Sequence, residues 1–132
     1  DSSGDLQSIL HWNELDAGLR IFAGSDTLAQ DAYEGGVAGT ITAAGNLVPH
    51  LIQAVRQAVL NGADPAGPQA SLNVVRGWLN QSPLMHAVTK FLLTLFADLP
   101  LTAVRPPLVD LDDAQKAALA AVATPFLAAT DV

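Results

Sequence analysis

Leu19 to Pro49, LRIFAGSDTLAQDAYEGGVAGTITAAGNLVP, reads as strand, turn, helix, strand and turn in quick succession. Leu19, Ile21 and Phe22 lead into Gly24-Ser25-Asp26, where a turn glycine is followed by two residue types that favour a helix N-cap. Thr27 to Glu34 supplies the short helix, and Gly35-Gly36 stops it. A second apolar run, Gly39-Thr40-Ile41-Thr42, ends on Gly45-Asn46. Each run is followed by a helical pattern, so the strands should lie parallel, with both turns opening on one edge of the sheet. In α/β proteins the chemistry sits at that edge, at the carboxyl ends of the strands.

Upstream, Asp1-Ser2-Ser3-Gly4-Asp5 gathers capping residues before an apolar-periodic run of Leu6, Ile9, Leu10 and Leu15. This predicts a loop feeding a helix, with Asp5 at the positive end of its dipole and Asp16-Ala17-Gly18 as the stop. Downstream, Asn46 or Pro49 opens a helix whose Leu51, Ile52, Val55, Val59 and Leu60 form one face up to Asn61-Gly62. From there the pattern is helical only. One helix is predicted from Asp64-Pro65 to Trp78-Leu79 and another from Pro83 to Ala97, with Leu84, Val88, Phe91, Leu92 and Leu95 on one side. Leu99 to Pro107 is a loop, because Pro100, Pro106 and Pro107 cannot sit inside a helix. Asp110-Leu111-Asp112-Asp113 caps a final Ala-rich helix ending near Ala129, which Pro125 should kink or end. The division is therefore β/α over residues 1–62 and helical over 63–132.

The chain of 132 residues is half apolar, enough for a sizeable core. Two short parallel strands nevertheless do not make a stable sheet, since parallel sheets are covered on both faces. The expectation is a piece of a larger barrel or sheet whose other strands lie upstream. The net charge of −7 comes from 13 acidic and 6 basic residues, and the basic ones are scattered, which argues against a nucleic-acid partner. The absence of cysteine removes disulfides and thiolate metal sites and suits a reducing compartment. Gly35 to Val55 is uncharged over a length that could span a bilayer, but its glycines, Asn46, Pro49 and His50 favour a buried strand, turn and helix start over a membrane partner. His11, His50 and His86 lack carboxylate companions at ligand spacing, so no metal site is expected.

Four segments, DSSGD at Asp1–Asp5, GSD at Gly24–Asp26, GTITAAGNLVP at Gly39–Pro49 and VRPPL at Val104–Leu108, resemble in order the second half of the dihydrodipicolinate synthase and N-acetylneuraminate lyase family. The resemblance implies an α/β fold: the C-terminal part of a (β/α)₈ TIM barrel followed by a three-helix extension, in a homotetramer. Leu19–Ala23 would be strand seven, Val37–Thr42 strand eight, and Asp1–Gly4 the loop after strand six. Family members form a Schiff base between pyruvate, or the pyruvate part of a 2-keto acid, and a lysine in a K-[DE]-x-[ST]-G-[DN] motif. That lysine would stand immediately before Asp1, so no catalytic residue is expected within this chain. The family's tyrosines, its carboxylate-gripping arginine and its Gly-Thr-Thr-like loop also belong upstream. The chain should then be part of a longer polypeptide, or be interrupted at a covalently modified lysine.

What the resemblance assigns to this half is the wall of the substrate site. Gly24 lets the backbone approach the keto acid, and the carbonyl of Ile41 faces the Schiff base. Ser25, Asp26 and Thr42 are candidates for contact with the distal part of the substrate. The chemistry calls for an amine of lowered pKa, a cradle of donors for the carboxylate and a proton shuttle, with no cofactor or metal. Sialic acid lyases tend to carry an acidic residue and a serine where this chain has Thr27 and Ala43, which turns the expectation away from them. The leading expectation is a cytoplasmic dihydrodipicolinate synthase-like enzyme that condenses pyruvate with an aldehyde. The alternatives are a 2-keto-3-deoxy sugar acid or 4-hydroxy-2-oxoglutarate aldolase and, from another class, a non-catalytic assembly fragment. Taken without the family, Gly24 and Gly39 read as turn and packing glycines, and Ser2, Ser3 and Asp26 as helix caps. Lys90 falls mid-helix in the tail and is not the Schiff-base former, and Arg105 should anchor its loop against the barrel by hydrogen bonds to carbonyls.

Overall fold

A computed structural model of the chain describes residues 1–15, 18–80 and 84–130. They fold as two compact units, Asp1–Arg76 and Gly77–Val132. The boundary falls within a helix, farther along than the expected division at 62.

The first unit opens with a relay of short turns. Asp1 Oδ1 accepts from the Ser3 amide, Ser3 Oγ from the Asp5 amide, and Asp5 Oδ1 from the Gln7 amide. The last of these caps α1 (Leu6–Glu14), satisfying one of the free amides at its start. Of the stop foreseen after α1, Asp16 and Ala17 lie outside the described residues. Strand β1 (Phe22–Ala23) pairs in parallel with β2 (Gly39–Thr40), with Phe22 opposite Gly39 and Ala23 opposite Thr40. Flanking bonds from Ala38 N to Ile21 O (2.8 Å) and from Ile41 N to Ala23 O (3.0 Å) continue the ladder. The two runs read from the sequence are thus strands, shorter than 19–23 and 37–42 but in the expected orientation.

Between them lie a 3₁₀ turn (Asp26–Leu28) and α2 (Ala29–Glu34). Gly36, at φ +82°, closes α2 in a conformation that other residues adopt at a cost. After β2, a second 3₁₀ turn (Ala44–Asn46) leads to α3 (Pro49–Leu60), with proline at the helix start, where its missing N–H costs nothing. Leu51 and Val55 are buried on its inner face, whereas Leu60 is 61% exposed and is not part of that face as the periodicity suggested. α4 (Ala66–Leu79) follows a turn in which Asp64 Oδ1 accepts from the Ala66 amide.

Side chains alternate across a strand, so Ala23 and Thr40 face one way and Phe22 and Ile41 the other. Ala23 is fully buried, and Thr40 lies 3.4 Å from the hydroxyl of Tyr33 on α2. The opposite face is open, with Phe22 36% and Ile41 73% exposed. A third segment extends the sheet on the far side of β1. The Asp1 amino nitrogen donates to Phe22 O (2.6 Å), and Asp1 O accepts from Gly24 N (2.7 Å). One residue bonding to the two neighbours of Ala23 in this way is the pattern of a parallel ladder.

In the second unit, α5 (Met85–Phe96) packs against α6 (Asp113–Thr130). Pro83, the expected start of α5, lies outside the described residues. Val88, Leu92 and Ala123 are fully buried, and the Trp78 ring meets Phe96 and Phe126 edge-on, with centroids 6.5 and 5.1 Å away. α6 begins with a reciprocal capping box, Gln115 N to Asp112 Oδ1 (2.7 Å) and Asp112 N to Gln115 Oε1 (2.9 Å). Pro125 does not end this helix: it continues to Thr130, and the adjacent Phe126 stays docked on Trp78 through the turn where proline removes one bond. The intervening loop is tied by Lys90 Nζ to Ala103 O (2.5 Å) and by Val104 N to Asp110 Oδ1 (2.8 Å). The Arg105 side chain, expected to anchor this loop against the barrel, makes no hydrogen bond among the described residues. No helix among the described residues is long and apolar enough to cross a membrane.

Two glycines should respond oppositely to alanine in urea unfolding. A Cβ at Gly24 would stand 2.8 Å from Ser2 Cα and 2.9 Å from Asp1 O, both backbone atoms. Gly24→Ala should therefore cost about 1–3 kcal/mol through overpacking. Gly77, inside α4 with nothing within 4 Å of its Cβ position, should stabilise by about 0.5–1 kcal/mol as alanine. Removing the α6 cap with Asp112→Ala should cost about 1 kcal/mol, and an unchanged urea midpoint would show that the box contributes nothing.

Candidate functional site

Along the open face of the β1–β2 pair, from the residues before β1 to those just after both strands, an open depression of ≈ 430 Å³ is lined by Asp1, Ser2, Arg20, Ile21, Phe22, Gly24 and Ile41. Apart from Ile21, its composition follows from the strand period. Arg20, Phe22 and Gly24 alternate along one face of the first run, Ile41 faces the same way on the second, and Asp1-Ser2 closes the side beyond β1. Gly24 holds this arrangement by what it lacks. Its Cα lies under Ser2 so closely that no side chain fits between them, and its amide is spent on Asp1 O. The clearance is required by the neighbouring segment of the protein itself.

The five candidate wall residues do not share one environment. Gly24 and Ile41 line the depression. Ser25 lies on the turn just beyond, its hydroxyl 3.0 Å from that of Thr27. Thr42 Oγ1 is enclosed and has no hydrogen-bond partner among the described residues. Asp26 is 0% exposed and does not line the depression. Its Oδ2 lies 3.5 Å from Arg76 Nη1, and its backbone carbonyl accepts from Gln69 Nε2 at 3.0 Å. The expectation that Asp26 reaches substrate from this turn is not how the side chain is placed, because the carboxylate turns inward to α4.

Gln69 and Arg76 were not singled out from the sequence. The signal open to a reader was faint: the two are seven residues apart on a helix, hence on one face, but nothing marks their partner as a residue beyond β1. A further cavity of ≈ 250 Å³ in the second unit, lined in part by Phe91, Leu101, Leu111, Asp110 and Lys116, was also unforeseen. Its charged groups are occupied, Asp110 by the Val104 amide and Lys116 by Asp113 at 3.2 Å.

The depression can present backbone, apolar surface and a nearby hydroxyl pair to a small ligand. Among the described residues, no lysine side chain lines it. The chain has two lysines, Lys90 and Lys116, and both lie in the second unit.

Comparison with known proteins places these features. The dihydrodipicolinate synthetase family matches residues 1–125. An uncharacterized DapA-like lyase of Chloroflexus aurantiacus is 42% identical over 130 residues, 98% of this chain and 43% of that protein. The 2-keto-3-deoxygluconate aldolase of Sulfolobus solfataricus superposes with a TM-score of 0.87 at 18% identity, over 98% of this chain and 44% of its own. N-acetylneuraminate lyase of Fusobacterium nucleatum does so with a TM-score of 0.82 at 19% identity, over 95% and 43%. The chain thus spans less than half the length of the relatives it matches, and by the match over residues 1–125 it belongs to the dihydrodipicolinate synthetase family.

Proposed function

We propose that the full protein is a Schiff-base-forming, pyruvate-dependent carbon–carbon lyase, and that residues 1–62 are the last two β/α units of its barrel, followed by a helical extension. The observation that carries this reading is the pairing of Asp1 with β1. A third parallel strand arriving at Asp1 would set the residue before it at the lip of the depression lined by Gly24 and Ile41. A Schiff-base lysine in that place would present its imine to this wall. The open face of the β1–β2 pair supports the same reading, since parallel strands are ordinarily covered on both sides.

In the proposed reaction, the lysine amine adds to the keto carbonyl and water leaves, giving a protonated imine. This imine draws electrons from the neighbouring carbon, so a C–C bond there can form with an aldehyde or break to release one. The part played by this chain is steric and polar. Gly24 and Ile41 form the wall beside the imine, and Ser25 offers a hydroxyl toward the distal end of the substrate. No step calls on a cofactor. Condensation of pyruvate with an aldehyde, as in dihydrodipicolinate synthase, is the first assignment. Cleavage of a 2-keto-3-deoxy sugar acid or 4-hydroxy-2-oxoglutarate is the second; the neutral Thr27 and Ala43 beside the turns argue against a sialic acid substrate and are compatible with both. The same reading carries a cytoplasmic homotetramer, whose contacts would cover exposed apolar residues such as Trp12 and Leu15.

Borohydride reduction of the full-length protein in the presence of pyruvate should add the mass of one reduced adduct per chain. An unchanged mass would refute the lyase and favour a non-catalytic assembly role. Pyruvate release from 2-keto-3-deoxygluconate, set against condensation with aspartate semialdehyde, separates the two assignments: the first assignment expects the condensation to be faster.

A further inference from the structure

Asp26 carries a fully buried carboxylate two residues from Gly24, and it touches no part of the depression. Burying such a charge costs several kcal/mol unless it is paired, and buried pairs contribute little net stability; their best-attested use is to fix one arrangement over others. We propose that Asp26 and Arg76 form a strut that sets the position of the Gly24-Ser25 turn, making α4 a positioning element of the keto-acid site. The proposal rests on the lyase reading above.

Three contacts define the strut. Arg76 Nη1 meets Asp26 Oδ2 at 3.5 Å, Gln69 Nε2 donates to Asp26 O at 3.0 Å, and Gln69 Oε1 accepts from the Gln30 amide at 2.9 Å. Side chains two helical turns apart on α4 thereby hold the 3₁₀ turn at its first residue and just past its end. Gln69 is itself buried and braced by Asn73 at 2.8 Å, so the grip starts from a fixed point. The Asp26 pair is the charged member and the only one of the three contacts that acts through a side chain of the turn. Asp26 Oδ1 has no partner among the described residues, so removing Arg76 would leave the carboxylate without its one side-chain contact. The turn is then free to move toward solvent with the charge, carrying the Gly24 and Ser25 wall with it. Reacting groups are sensitive to displacements of this size, since about 1 Å of misplacement can cost on the order of 10²-fold in rate.

The test uses the full-length protein, with rates expressed per site trapped by borohydride and pyruvate. Arg76→Gln is the primary variant, because Arg76 is 28% exposed at its side chain and tolerates replacement better than the enclosed acid. Its kcat should fall about tenfold while the trapped fraction at saturating pyruvate stays complete. Arg76→Lys should recover part of the loss by restoring charge without the planar fork. Asp26→Asn combined with Arg76→Gln should be no slower than the slower single variant. A kcat and KM within twofold of the unaltered protein in folded Arg76→Gln, or losses that multiply in the double variant, would overturn the strut. If the unaltered protein is not trapped at all, the lyase reading fails. The strut is then decided by amide hydrogen exchange at residues 24–28: faster exchange in Arg76→Gln supports it and unchanged exchange overturns it.

Discussion

The structure depends on one constraint, that a pair of parallel strands must be completed on its free edge and covered on its open face. β1 and β2 share a ladder only two residues long, yet each is tied beyond that, β1 to Asp1 on one side and β2 to α2 below. The Asp1 pairing explains the glycine at 24 and the turn relay through Ser3 and Asp5, because the segment that leaves the strand edge must pass directly over Gly24 before α1 can start. It also produces the depression. The wall is a by-product of three parallel chain ends meeting at one edge.

A second feature follows from where the turn after β1 is held. A loop at the carboxyl end of a strand is free to vary, which is why such loops carry function, but a wall must stay in place. Here the turn is secured from below by α4. Its buried acid is satisfied on one oxygen by Arg76, and its carbonyl by Gln69. By sequence this helix belongs to the tail, yet its residues through Arg76 belong by contact to the first unit and its last turn to the second.

Much of this was legible in the residues. Gly-rich turns after two apolar runs marked the strands, proline at 49 and the acid cluster at 110–113 marked helix starts, and their order disclosed the parallel arrangement. The family resemblance, carried by four short motifs, agrees with the match over residues 1–125. What was not legible depends on tertiary partners. Asp26 looks like any cap or ligand until Arg76, fifty residues on, is brought to it. Leu60 extends an apolar stripe in sequence but lies at the end of α3, beyond what the core covers. Pro125 predicts a break by local rules, and the neighbouring Phe126 docks on Trp78 all the same. The ties of the loop through Lys90 and Asp110 were not foreseen, since their reach to it depends on how α5 and the loop fold together.

The central claim is that the edge where Asp1, Gly24 and Ile41 meet is the wall of a keto-acid site. It is tested most directly by a crystal structure of the full-length protein reduced with borohydride in the presence of pyruvate. The account predicts the adduct on the residue preceding Asp1, with the Gly24 and Ile41 backbones facing it across the depression. An adduct on Lys90 or Lys116, or one formed with Gly24 and Ile41 turned away from it, would contradict the account.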